Sequence, residues 1–95
     1  MGRRSVFRVE NRSMLPTLHP GDRVFVDTGR PAEIGAIVVA RFPDGRCVVK
    51  RLASRGAATF ALASDNPSEA TDSRELGSFE DSALIGVVAL TWPWR

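Results

Sequence analysis

Apolar and polar residues alternate in short runs along this chain, a pattern that is typical of β-strands. The runs are rich in Val, Ile, Phe and Thr, and turn-forming Gly, Pro, Asp and Asn separate them. The predicted strands are residues 5–9, 23–27, 36–42, 46–55, 59–64 and 83–92. No window carries a long apolar stripe of helical period. The sequence therefore predicts an all-β fold built on a closed or coiled sheet.

Two turns and one long polar segment connect the predicted strands. The segment Pro-Asp-Gly at 43–45 predicts a tight hairpin, and Gly56 predicts a second one. Residues 65–82 are polar throughout, which predicts a long excursion from the sheet. Loops of that length are often functional, so we expect this segment to contribute to a site.

Length and charge limit the class of protein. A chain of 95 residues predicts one domain over residues 1–95. The net charge is only +2, with acidic and basic residues mixed, which argues against a nucleic-acid partner. The longest apolar run, 83–90, is shorter than the roughly 20 residues of a membrane-spanning helix. No apolar segment of a signal peptide follows the N-terminal arginines. We therefore expect a cytoplasmic protein, or one peripheral to a membrane, with no membrane-spanning segment.

The chain has one cysteine and one histidine, which limits the metal sites and catalytic bases it can form. The single cysteine, Cys47, excludes an internal disulfide and a cysteine-based zinc site, and it is expected to be a small buried residue. The single histidine, His19, lies beside Pro20 and is expected to be a solvated turn residue. We expect no metal and no cofactor. A serine nucleophile in this chain would therefore need a base other than histidine.

Ser13 and Lys50 are the candidate nucleophile and base. Ser13 lies on a loop that two prolines and a glycine make stiff. The strand period of two places Lys50 on one face with Val48 and Leu52. Apolar neighbours disfavour a charged ammonium, and a neutral lysine can accept a proton from a serine hydroxyl. In the alternative, Lys50 lies at a sheet rim and extends its amine into water.

Three segments together resemble successive motifs of the signal peptidase I family of Ser-Lys proteases. They are SMLPTL followed by GD, then VVKRL, and then SDNPSEATDSRELG. The resemblance implies a β-rich catalytic core of the signal peptidase and LexA kind, with Ser13 as nucleophile and Lys50 as general base. It implies as partner an extended peptide segment of a precursor protein. In its short length and its SDNP segment, the chain most resembles the small soluble branch of the family. That branch includes the maturation proteases of nickel-type superoxide dismutase.

The same resemblance suggests further site residues. The backbone N–H of Ser13 and the side chain of Asn11 are expected to form the oxyanion hole. Met14 is expected to line the substrate groove, with a plain core position as the alternative. Oppositely charged pairs within the motifs are expected to hold the 65–77 loop near the lysine: Arg51 with Asp65, and Asp72 with Arg74.

The chain also departs from the family pattern. Residues 1–95 contain neither a segment like the usual N-terminal membrane segment nor the large inserted β-domain. Ser64 stands where the family usually has glycine, and Ala70 stands where it often has a serine that orients the lysine. We therefore hypothesise that Ser64 replaces that serine and orients Lys50. In the alternative, Ser64 is a tolerated small residue that faces away from the lysine.

Two other functions remain open. A self-cleaving regulator of the LexA type would use the same pair of residues. The sequence shows no helix-turn-helix segment and no Ala-Gly cut site ahead of Ser13, which argues against it. A non-catalytic β module that binds peptides or a membrane face is the third possibility, and the presence of both Ser13 and Lys50 argues against that one.

Overall fold

The described part of the chain contains seven β-strands, and the prediction of an all-β fold is confirmed. The computed structural model describes residues 4–69 and 77–93. The strands are β1 (Arg4–Arg8), β2 (Arg23–Asp27), β3 (Ile37–Arg41), β4 (Cys47–Arg55), β5 (Thr59–Ala63), β6 (Ser78–Glu80) and β7 (Leu84–Trp92). The only helical elements of the described residues are two short 3₁₀ turns, Pro67–Glu69 and Asp81–Ala83. No helix in the described ranges is long and apolar enough to cross a membrane.

All seven strands belong to one sheet with the order β1-β2-β7-β3-β4-β5-β6. Every pairing is antiparallel. The last strand, β7, lies between β2 and β3 and joins the N-terminal pair to the hairpins that follow. Strands β1 and β6 lie at the two ends of this order.

The predicted strands lie within one residue of the observed ones at each boundary, but β6 was not predicted. The three residues of β6 are flanked by polar sequence, and only Phe79 among them is buried. Its pairing with β5 and the contacts of the Phe79 ring with Phe60 and Phe42 hold it in place. A strand this short is fixed by tertiary packing, which periodicity does not reveal.

Both predicted hairpins are present. In the first, the N–H of Phe42 donates to Arg46 O at 2.8 Å, and Gly45 has a φ of +92°, where glycine is favoured. In the second, the N–H of Gly56 donates to Thr59 O at 2.8 Å. Together they bring β3, β4 and β5 into one meander, and Lys50 lies on its central strand.

The core consists of two apolar clusters. One contains Val38, Ala40, Phe42, Val48, Leu52, Phe60, Leu62, Phe79 and Val87. The other contains Val9, Met14, Leu18, Val24, Val26 and Val39. The second cluster takes three residues from the loop between β1 and β2, namely Val9, Met14 and Leu18, so packing fixes that loop to the sheet.

The expectation of a buried Cys47 is wrong, because the side chain is exposed. Cys47 is the first residue of β4 and pairs with the exposed Arg41 beside the hairpin. The alternation of side chains along the strand does place Cys47 on a sheet face. The apolar core, however, does not extend to the first residue of β4.

Candidate active site

The loop 9–22, which connects β1 to β2, carries Ser13 and is fixed at both ends. At its base, the N–H of Val9 donates to Asp22 O at 2.8 Å, and the N–H of Gly21 donates to Val9 O at 2.7 Å. Gly21 has a φ of +92°, a backbone conformation that favours glycine. Met14 and Leu18 anchor the middle of the loop in the core. The loop therefore holds Ser13 in one position.

Ser13 and Lys50, which are distant in sequence, meet inside the protein. The Nζ of Lys50 donates a hydrogen bond to the Oγ of Ser13. Lys50 is 1% exposed and Ser13 is 2% exposed. The structure thus confirms the predicted contact between the two side chains. A buried serine hydroxyl that is bonded to a lysine amine has the geometry of a nucleophile and its base.

Apolar residues surround the Lys50 side chain on its strand. Val48 and Leu52 flank it on the same face of β4, and both are buried. Val38 of β3, which is fully buried, pairs with it directly. The alternative that Lys50 extends into water from a sheet rim is therefore wrong.

Asn11 binds Ser13 through its carbonyl oxygen. The Oδ1 of Asn11 accepts from the backbone N–H of Ser13 at 3.1 Å and from the Ser13 hydroxyl at 2.7 Å. The expected oxyanion hole needs the opposite polarity, with an Asn11 N–H aimed at the substrate. In this structure the N–H of Ser13, the second expected donor to the oxyanion, instead donates to Asn11 Oδ1.

An ion pair joins β4 to the segment after β5, as expected. Arg51 Nε donates to Asp65 Oδ1 at 2.9 Å, and Nη2 donates to Oδ2 at 2.7 Å. Thr17 Oγ1 also donates to Asp65 Oδ2. The hydrogen bonds from Arg51 lower the pKa of the Asp65 carboxyl, and the same contact raises the pKa of Arg51. The pair places the neighbour of Lys50 in direct contact with the segment after β5.

Asn66 attaches that segment to the nucleophile loop. Its backbone N–H donates to Ser13 O at 2.8 Å, and its Nδ2 donates to Arg12 O at 3.1 Å. Asn66 also begins a turn, in which the N–H of Glu69 donates to Asn66 O at 3.0 Å. The contact with Ser13 was not predicted. The only available signal was the position of Asn66 in the third motif.

Ser64 directly follows β5, but the expected hydrogen bond to Lys50 is not found. Ala63, the last residue of β5, pairs with Arg51, the neighbour of Lys50 on β4. The Ser64 Oγ is buried and has no hydrogen-bond partner in the described part of the chain. This position therefore does not produce the orienting contact. Ala70 and the expected pair of Asp72 with Arg74 lie outside the described residues.

Two other predicted roles can be compared with the structure. Met14 is 1% exposed and belongs to the core, so the expected place in the substrate groove is not found. The alternative of a plain core methionine is the observed one. His19 is half-buried in its turn, where its backbone N–H donates to the Asp22 carboxylate at 2.9 Å. Within residues 4–69 and 77–93, no group of His, Cys, Asp and Glu is placed to hold a metal ion.

Comparison with known proteins places this chain in a family of peptidases. The model of the Peptidase S24-like family matches residues 3–89, which is most of the chain. The protein therefore belongs to the Peptidase S24-like family. No curated protein matches the chain. The match supports the resemblance to LexA-type and signal peptidase I-like domains at the level of the shared β core.

Proposed function

We propose that this protein is a serine endopeptidase in which Lys50 activates Ser13 to cleave an extended segment of a precursor protein. The observation that carries the proposal is the buried hydrogen bond between Lys50 Nζ and Ser13 Oγ in a Peptidase S24-like domain. A neutral lysine amine can accept a proton from a serine hydroxyl within hydrogen-bond reach, and this contact supplies that reach.

Acylation begins with the neutral Lys50 amine. Lys50 accepts the Ser13 hydroxyl proton while Oγ forms a bond to the scissile carbonyl carbon, and the carbonyl oxygen becomes an oxyanion. The intermediate collapses when the carbon–nitrogen bond breaks, and Lys50 returns the proton to the departing amine. A water molecule that Lys50 deprotonates then attacks the acyl carbon, the bond from that carbon to Ser13 Oγ breaks, and Lys50 returns the proton to Oγ.

Asn11 must move for this chemistry to occur. Its Oδ1 now accepts from both groups of Ser13 that the substrate would engage, the N–H and the hydroxyl. A half-turn of the Asn11 amide would replace this acceptor by an N–H donor. The two donors, Ser13 N–H and Asn11 Nδ2, would then face the oxyanion. Such donors act at about 2.7–3.1 Å.

The substrate is proposed to bind as an added strand. β1 lies at one end of the sheet order and leads directly into the nucleophile loop. An extended peptide that pairs with the outer edge of β1 would approach Ser13 from its N-terminal side. The finer assignment, removal of an N-terminal leader or signal segment as in nickel-type superoxide dismutase maturation, rests on the resemblance of the three motifs.

Self-cleavage is the second candidate, and the family match favours it because the Peptidase S24-like family includes LexA-type domains. A self-cleaving chain cuts itself at a rate that is independent of protein concentration. A processing enzyme cuts a separate substrate, and its rate rises with enzyme concentration.

The test is to incubate the protein with a library of precursor N-terminal peptides and to sequence the new ends. The Ser13→Ala variant is the matched control. We expect cleavage at a defined position by the wild-type protein and none by the variant. Equal cleavage by both would contradict the proposal, and concentration-independent shortening of the chain itself would favour self-cleavage.

A further inference from the structure

The first two strands bring two arginines directly opposite each other. Arg8, the last residue of β1, pairs with Arg23, the first residue of β2, and Arg23 pairs in turn with Trp92 of β7. Directly opposite residues of antiparallel strands share a face, so the three exposed side chains form one row across the sheet. This arginine row lies at the base of the loop that carries Ser13, because that loop connects Arg8 to Arg23.

The two arginines have no acidic partner in the described part of the chain. Neither Arg8 nor Arg23 forms an ion pair or a side-chain hydrogen bond there, and Glu10, two residues after Arg8, pairs with neither. The other end of β1 differs, since Arg4 faces an acidic residue, Asp27, across the same two strands. Like charges directly opposite each other destabilise a sheet. A carboxylate beside Arg8 would offset that repulsion.

The outer edge of the sheet lies immediately beside Arg8. β1 is an end strand and pairs only with β2 among the described strands. The proposed substrate strand would add to that edge, so one of its residues would lie directly opposite Arg8 and extend the arginine row. Two residues back along β1 the outward position is apolar, since the exposed Val6 pairs with Phe25, which pairs with Leu90. One face of an added strand therefore meets a cationic position and then an apolar one.

We propose that the arginine row selects precursor segments with Asp or Glu opposite Arg8 and an apolar residue two positions away, opposite Val6. The inference rests on the proposed endopeptidase function and names the substrate class of that site. Opposite charges on directly facing residues of neighbouring strands attract, and residues two apart on a strand lie on the same face. Arg8 and Arg23 are thus specificity-determining residues, which act on the choice of substrate and do not touch the reacting bond.

The test compares cleavage of a randomised library of twelve-residue peptides by the wild type and by charge variants, with the new ends sequenced. The wild type should enrich Asp and Glu at one fixed position relative to the cut, with an apolar residue two positions from it. Arg8→Ser/Arg23→Ser should lose the acidic preference, and Arg8→Glu/Arg23→Glu should favour Lys and Arg there instead. The matched control, Arg30→Ser/Arg41→Ser, removes two exposed arginines elsewhere and should keep the wild-type preference.

The magnitude is measured on two peptides from that library that differ only by Glu or Gln at the selected position. A direct cross-strand ion pair should make the wild type favour the Glu peptide about two- to fivefold in kcat/KM. The preference should lie in KM, because the arginine row does not touch the reacting bond. It should shrink as salt rises, because the arginines are exposed.

Failure of this inference and failure of the proposed function give different results. Cleavage by the wild type without an acidic preference, or the same preference in Arg8→Ser/Arg23→Ser, would overturn the role of the arginine row and leave the peptidase function intact. The absence of any cleavage by the wild type would overturn both. The salt dependence of the Glu preference needs no variant, so a preference that salt leaves unchanged would overturn the inference even where a variant fails to fold.

Discussion

Replacing Asp65 by Asn should break the ion pair that joins the segment after β5 to Arg51 on β4. The substitution keeps the size of the side chain but removes the charge that Arg51 binds through two nitrogens. Hydrogen bonds to charged groups contribute about 1.5–3 kcal/mol, and exposed ion pairs contribute about 0.2–1 kcal/mol. The Arg51 side chain is 34% exposed and that of Asp65 is 17% exposed, so we place the loss between these ranges, at about 1–2 kcal/mol.

The assay is urea unfolding of the wild type, Asp65→Asn, Arg51→Met and the double variant. A double-mutant cycle should give a coupling energy of about 1–2 kcal/mol, and Asp65→Asn should lower the melting temperature by roughly 5–10 °C. A coupling energy below about 0.3 kcal/mol would refute the account of the ion pair.

The effect of pH follows from the lowered pKa of Asp65, which the hydrogen bonds from Arg51 cause. A lowered folded-state pKa stabilises the fold fully above the ordinary aspartate pKa of about 3.9. This stabilisation is lost as the pH falls through the folded-state pKa. The difference in stability between wild type and Asp65→Asn should therefore be constant near neutral pH and shrink in acid. A difference that grows in acid would contradict this sign.

The same variant should slow catalysis, because Asp65 precedes Asn66, whose N–H binds Ser13 O. We expect kcat to fall about tenfold with little change in KM, as for a lost positioning contact. Asp44→Asn is the matched control, since it breaks an aspartate–arginine pair in the β3–β4 hairpin and should leave kcat unchanged.

Three further substitutions test single features of the structure. Asn11→Asp keeps an acceptor for the Ser13 N–H but removes the proposed oxyanion donor. Steady-state kinetics should show kcat falling about 100–1000-fold, and a full rate would show that Asn11 acts only as an acceptor. Ser64→Ala removes a buried hydroxyl that has no partner in the described part of the chain. Urea unfolding should show unchanged or slightly higher stability, with unchanged turnover, whereas a loss of about tenfold in turnover would support the orienting role. Gly86→Ala would place a Cβ 2.7 Å from Asp27 O and should lower the unfolding free energy by about 1–3 kcal/mol. Gly56→Ala, whose nearest contact is at 3.7 Å, is its control, and equal effects would contradict the close-approach argument.

The fold could be predicted from local alternation, and the central pair from the resemblance of its motifs to those of a known family. Alternation located six strands, and the period of two placed Lys50 among apolar neighbours on β4. The motifs linked Ser13 to Lys50 across the chain, which spacing alone does not do.

The parts that were missed depend on tertiary contacts and on side-chain rotation. The strand β6 exists because Phe79 packs against Phe60, and Cys47 is exposed because the core ends before the hairpin. The direction of the Asn11 amide is set by its contacts with Ser13. An asparagine side chain carries both N–H donors and a carbonyl acceptor. The sequence therefore does not show which of these groups faces Ser13.

The measurement that most directly tests the paired roles of Ser13 and Lys50 is the cleavage rate of their single and double variants on one identified precursor peptide. Ser13→Ala and Lys50→Met should each abolish cleavage, and the double variant should be no slower than either, because the two residues act as one unit. His19→Ala should cleave at the wild-type rate. Cleavage at the wild-type rate by Lys50→Met, or loss of cleavage in His19→Ala alone, would contradict the assignment of Lys50 as the base.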